Sequence, residues 1–183
     1  MDKLDIVTDE SGNEVVLLPE IIFSNKQNIN WNDVEDYLGK YVGELIEIAE
    51  TRDIIYIGNK FPDEYGGSSY TRKTKGARAK AKANAAQGIR EMVEIATDKV
   101  YRENHKEKHS EDAHNGWFYY VTRFAIPLYN NEKKTGEYNV YSACLVVNHA
   151  ANGKMYLYDV VGIKKKRVTH SRLSSCQVVQ NRF

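Results

Sequence analysis

Four stretches of this chain carry residue types able to move protons or hold phosphate. The first is a polar run with His105, Lys108, His109 and His114 beside Glu107, Glu111 and Asp112. His105 and His109, at i and i+4, would share one helix face as two metal ligands do. No cysteine joins them, and the neighbouring Lys and Arg charges oppose a bound cation. Two further readings fit the same run: a solvated helix end, or acid–base catalysis by an imidazole that titrates near neutrality. The second stretch is basic and alanine-rich, with six Lys or Arg and no acid within residues 72–82. Its composition favours a helix, from which Lys75, Arg78 and Lys82 would project at i, i+3 and i+7, with Lys80 nearby. Such a track suits phosphate better than a merely solvated face, which normally interleaves acids. The third is Arg123, inside an otherwise aromatic strand. It must meet a carboxylate, stack, or face a groove; Asp159 is the structural candidate and phosphate the functional one. The fourth is the run 164–167 followed by Thr169, His170 and Ser171, either a solvated patch or the closing side of a phosphate site.

What is missing narrows the chemistry. There is no Gly-rich phosphate loop and no serine elbow, and Asp159 is the sole carboxylate after Glu137. A two-metal nuclease draws on several convergent acids and is disfavoured. Metal-free RNA cleavage draws on none: the substrate 2′-hydroxyl attacks phosphorus, a base takes its proton, Lys or Arg balances the growing charge, and an acid protonates the leaving 5′-oxygen. No cofactor is expected. Among 13 tyrosines, Tyr119 and Tyr120 are placed to stack on bases.

The elements that must position these groups follow from patterning. The chain has 183 residues and a net charge of +1, but residues 1–64 carry 5 basic and 15 acidic side chains, and the rest 21 and 10. The second part therefore has the charge of a phosphate-seeking module. Residues 15–23 are strand-like, with Pro19 marking an edge or a break. Asn32 reads as a helix cap, and apolar residues at 34, 37, 38, 41, 42, 45, 46 and 49 predict an amphipathic helix over 33–51. Residues 53–58 form a short strand and 61–69 a loop. The basic helix begins near residue 70, and a buried stripe continues it through Ile89, Met92 and Val93 to about residue 97. Residues 101–115 are polar. Three strands follow, at 117–128, 138–148 and 154–163, the last two joined by the hairpin loop 149–153. In the first of them Trp117, Tyr119, Val121 and Arg123 share one face, and Phe118, Tyr120, Thr122 and Phe124 the other. The predicted class is α+β, with helices packed on one face of an antiparallel sheet. Cys144 lies in an apolar run and reads as a small buried hydrophobe. No apolar stretch approaches a membrane span, and the acidic start lacks a signal-like basic region, so a cytoplasmic protein without membrane contact is expected.

Several segments together resemble a known family. They are Tyr56-Ile-Gly-Asn-Lys-Phe-Pro-Asp-Glu-Tyr65, Lys75-Gly-Ala-Arg-Ala-Lys-Ala-Lys-Ala-Asn-Ala-Ala-Gln-Gly-Ile89, Glu103-Asn-His-Lys-Glu-Lys-His109, Asp112-Ala-His-Asn-Gly-Trp-Phe-Tyr-Tyr120, Arg123-Phe-Ala125 and Gly153-Lys-Met-Tyr-Leu-Tyr-Asp159. They are similar to the barnase–EndoU–colicin–RelE-like (BECR) nuclease domains found in phage MuF-type proteins and other polymorphic toxins. The resemblance spans residues 37–168. It implies N-terminal helices packed on a curved, mainly antiparallel sheet of about four strands, and a metal-independent endoribonuclease site on the concave face. It carries the Lys108–His109 pair, Arg123, Lys82 and His149 onto the family's pattern. His109 is then the general base or acid, Lys108 and Arg123 hold the phosphate, and His149 and His170 are candidates for the second proton transfer. Lys75, Arg78, Lys80 and Lys82 would guide the RNA backbone. The implied partners are an RNA substrate and a cognate immunity protein. Two positions depart from the pattern: Tyr119 stands where an Arg is usual, and 169–172 read Thr-His-Ser-Arg in place of Thr-Ser-x-Pro. The alternative is a non-catalytic phage or mobile-element module that binds nucleic acid or a host protein. Because the resemblance reaches back to residue 37, residues 33–183 are expected to form the nuclease domain and 1–32 an acidic appendage.

Overall fold

A computed structural model describes residues 2–25, 28–105, 113–166 and, for the backbone, 172–174. The class is α+β, as the patterning implies. Its frame is a long hairpin of β6 (Trp117–Asn130) and β7 (Lys133–His149), extended by β8 (Met155–Lys165). Asn131 and Glu132 turn the hairpin with positive φ at both positions, 48° and 66°, the conformation that matches the right-handed twist of the flanking strands.

The sheet is larger than the four strands expected. Its order runs β1 (Ile6–Thr8), β2 (Glu14–Leu17), β6, β7, β8, β4 (Ile54–Tyr56), β3 (Leu45–Glu47), while β5 (Thr97–Arg102) also pairs with β6 and β9 (Arg172–Ser174) with β7. β2–β6 and β4–β8 are parallel, and the other pairings are antiparallel. β2 and β4 fall in the stretches 15–23 and 53–58 expected to be strands, while β1, β3 and β5 come from segments too short or too polar to announce themselves. β1 and β2 lie within residues 1–32, so that segment is part of the sheet rather than an appendage to it. Val16 pairs with Phe124, and Val15, Val16 and Leu18 are fully buried. Leu18 still donates its N–H to Ala125, but Pro19 has none to offer and the strand ends.

The helix expected over 33–51 is shorter. α1 spans Trp31–Leu38, capped by Asn30 rather than Asn32, and a 3-10 turn (Gly39–Tyr41) closes it. Gly43 then takes φ +93°, and the chain turns into β3. The apolar stripe misleads here because β3 continues it by coincidence. Leu45, counted as part of that stripe, is 61% exposed. Residues 61–69, expected as a loop, instead contain α2 (Phe61–Gly67), with Pro62 in its first turn and Phe61 and Tyr65 buried, and the start of α3 (Ser69–Lys73), capped by the Ser68 side chain. The basic helix is interrupted at Thr74–Lys75, which are extended, and resumes as α4 (Gly76–Ala85). A 3-10 turn (Ala86–Gly88) leads from it to α5 (Ile89–Glu94).

The helices cover one face of β6–β8. Tyr120, Thr122, Phe124, Leu145, Val147, Leu157 and Val160 point into that layer and are essentially inaccessible. The alternation read along β6 is therefore the one observed. α4 is enclosed more completely than its composition suggests. Asn84 accepts from the backbone of Ile22 and Phe23 and donates to Phe23 O, so the segment after β2 straps over the helix. Ala79, Ala81, Ala83 and Ala85 leave room for that close approach.

Candidate nucleic-acid interface

The expected phosphate track divides. Lys75 and Arg78 are exposed and Lys80 is half-buried. Lys82 is fully buried: its Nζ lies 2.6 Å from Asp159 Oδ1, with side-chain exposures of 0% and 3%. The rings of Tyr65 and Tyr70 flank the ammonium at 4.5 and 5.0 Å. Burial pulls the Lys82 ammonium below its ordinary pKa against the pull of Asp159, and burial raises the Asp159 carboxyl against the pull of Lys82. This pair corrects two expectations. Lys82 cannot reach a bound strand, and Asp159 serves Lys82 rather than Arg123. The physical reason is the packing of α2, α3 and β8 around α4: Tyr65, Tyr70 and Asp159 enclose the Lys82 side chain and turn a helix face expected to be open into an interior one.

Tyr120, expected to stack on bases, is also withdrawn. It is wholly buried and its hydroxyl donates to Asp53 Oδ2 at 2.7 Å, where Lys99 Nζ also sits at 2.8 Å. Its neighbour Tyr119 points the other way and stays half-buried, with the Arg102 guanidinium 5.1 Å from its ring.

Two cationic surfaces remain. One is a groove of about 620 Å³ between the start of α4 and the ends of β7 and β8, lined by Lys75, Arg78, Tyr141, Lys164 and Lys165 without a carboxylate. It joins the basic helix to the Lys run after β8, which sequence alone left as separate patches. Lys166 is diverted to Asp9, 2.8 Å away. The second surface is the helix-free face of the sheet. Arg123 on β6 pairs with Ser142 on β7, which pairs with Lys164 on β8, so the three form one row. The Arg123 Nε is buried and has no hydrogen-bond partner among the described residues. Further along the same face, Tyr119, Trp117 and Tyr158 form an aromatic strip. The Trp117 and Tyr158 rings are 5.1 Å apart, edge to face. A pocket of about 300 Å³ beside the strip has Arg102, Glu103, His105, Trp117, Tyr119 and Tyr158 in its lining. Arg102 and Tyr158 were missed from sequence. The signal for Arg102 is its i+2 spacing from Val100 in a short strand, visible once β5 is known to pair with β6.

His149 separates from this row. His149 ends β7, with its ring 5.5 Å from that of Phe118. It stands seven positions along the strand from Ser142, which places it about 23 Å from the Arg123 row. Lys108, His109 and His170 lie outside the described residues. Cys144 is half-buried, and burial pushes its thiol up, away from nucleophilic use. Among the described residues no three His, Cys, Asp or Glu side chains gather as metal ligands, and no helix is long and apolar enough to cross a membrane. No family model, curated protein or solved structure matches the chain.

Proposed function

We propose that this chain is an RNA-acting domain of BECR type, which binds a single strand across the helix-free sheet face and cleaves it as a metal-independent endoribonuclease. The observation that supports it best is the separation of charge in β6–β8. From 117–128, 138–149 and 155–165 these strands contain one carboxylate, Asp159, and it is buried against Lys82 on the helix side. The opposite face keeps Arg123 and Lys164 with Trp117, Tyr119 and Tyr158 (cations for phosphate and flat rings for bases), the combination that holds single-stranded nucleic acid.

In this reading Arg123, with Lys108, balances charge at the phosphate undergoing attack. His109 takes the 2′-hydroxyl proton or protonates the 5′-oxygen, and His170 exchanges protons at the opposite side. His149, about 23 Å away along β7 and packed on Phe118 at the other face, takes no part in proton transfer at that phosphate. Lys75, Arg78 and Lys165 extend the phosphate path around the sheet edge. Such an activity belongs in the bacterial cytoplasm and would be held in check there by an immunity partner. The test is incubation of purified protein with total RNA in EDTA. Fragments ending in 2′,3′-cyclic phosphate are expected, with loss of cleavage in His109→Ala. Cleavage that depends on added divalent metal, or that His109→Ala leaves unchanged, overturns the mechanism.

One observation favours a second reading, a binding module that does not cut. Lys82 and Tyr120, two of the groups expected to contact RNA, are locked to internal acids. This reading predicts salt-sensitive RNA binding with no new ends at any pH.

A further inference from the structure

At the end of the sheet beyond Tyr158 lies a second pocket, of about 310 Å³, at the lower bound for small-molecule sites. It is formed where the β4–α2 connection meets the β7–β8 hairpin, and its polar lining includes Asn59, Lys60, Glu64, Asn148, Asn152 and Tyr156. Asn148 is its distinctive member. The residue is 8% exposed, yet its Oδ1 is fully buried without a hydrogen-bond partner among the described residues. A buried amide left unmatched is destabilising unless something else satisfies it. Asn148 lies in one cross-strand row between Trp117 and Tyr156, so the pocket continues the aromatic strip. The Tyr156 ring is set by two contacts. It packs on Tyr56 at 5.6 Å, and it lies so close over Gly58 that a Cβ there would meet it at 3.3 Å.

The lining selects the chemistry. Glu64 offsets Lys60, so the pocket lacks the net positive lining that suits a phosphate in the basic groove. A carboxylate and an amide instead match the amino-bearing edge of a base, and Tyr156 offers a ring to stack on. An asparagine amide pairs with adenine by accepting from N6 and donating to N7, and its two ends serve that purpose whichever way the amide is turned. We infer that this pocket takes one adenine of the bound strand and is the subsite that reads sequence. The inference rests on the proposed RNA binding, which supplies the strand; the phosphate contacts hold register and the pocket specifies the base.

The experiment compares two 12-mers by fluorescence anisotropy, all-U and U with a single central A. Both carry 2′-O-methyl sugars, so no 2′-hydroxyl is present to attack. The A-containing strand is expected to bind about tenfold tighter. Replacing that A by 7-deaza-adenine, which lacks N7, or by purine riboside, which lacks the N6 amino group, should each remove most of the gain. Asn148→Ala deletes an amide whose Oδ1 has no partner among the described residues, and it should equalise the two strands. Gly58→Ala, which crowds Tyr156, should weaken the preference in the same direction. Equal binding of the two strands by the wild type, or a preference that survives Asn148→Ala, overturns the subsite while leaving RNA binding intact. No binding of either strand overturns the RNA reading itself and the subsite with it.

Discussion

The two faces of the central sheet treat their cations in opposite ways. On the helix side Lys82 meets Asp159 at 2.6 Å and both vanish from solvent. On the helix-free side Arg123 and Lys164 stand in one row, with the Arg123 Nε unmatched among the described residues. The contrast shows that a basic residue's use is decided by the layer that covers it. Lys82 belongs to the same sequence run as Arg78, four residues earlier, but only Lys82 is enclosed by Tyr65, Tyr70 and Asp159, while Arg78 stays exposed. A charged pair that has been desolvated is a structural commitment, whereas a half-buried cation without an acid is available to an anion from outside.

The sharpest way to break this contrast is to remove one member of the buried pair. Asp159→Ala leaves an uncompensated ammonium in the core and should destabilise the fold by about 3–5 kcal/mol, read from urea unfolding. The double replacement Lys82→Met with Asp159→Leu should recover most of that loss, because apolar side chains of similar size carry no desolvation penalty. Failure of the double variant to recover would mean that the pair supplies something beyond mutual neutralisation.

On the other face the effects should fall on binding. Tyr119→Leu is expected to weaken single-stranded RNA binding by about 1–3 kcal/mol with little change in unfolding. Tyr120→Phe, one position along, should show the reverse: about 1 kcal/mol of stability lost with the hydroxyl–Asp53 bond, and RNA affinity unaltered. Equal behaviour of the two tyrosines would erase the distinction between faces. Arg123→Gln tests whether the unmatched guanidinium meets phosphate. The slope of log affinity against log salt should become shallower by about 0.7, the value for one single-strand phosphate contact.

The smallest expected effect is electrostatic. Burial raises the Asp53 carboxyl, but hydrogen bonds from Lys99, Thr51 and Tyr120 outweigh it and hold the folded value below the ordinary one. The unfolded chain therefore takes up the proton first. The contribution is complete above about pH 4 and is lost as pH falls further, through the folded value. Urea midpoints measured from pH 5 down to pH 3 should drop less steeply in Asp53→Asn than in the wild type.

The strands that build the candidate face were legible without a structure. β6, β7 and β8 are long, rich in β-branched and aromatic residues, and strictly alternating where they matter, so period-2 patterning assigned Arg123 and Tyr119 to one side and Tyr120 and Phe124 to the other. The helical reading failed where two periodicities coincide: the stripe through residues 45–49 belongs to a strand entered by the left-handed Gly43. The three-residue strand β1 gave little local signal, since it carries too few alternations to be counted, and the place of β2 beside β6 comes from contacts more than 100 residues apart in sequence.

The sequence by itself determined the inventory: six clustered cations, an aromatic strand, a single carboxylate after Glu137, and the period that sorts neighbouring tyrosines onto different faces. Those are properties of spacing along the chain. Tertiary structure decided which of these groups remain usable. Lys82 lies 77 residues from Asp159, and Asn148 borders a pocket completed by Asn59 and Glu64 from the far edge of the sheet. Burial and pairing are set by what packs against a side chain, and that neighbour is supplied by long-range topology, which local periodicity does not encode.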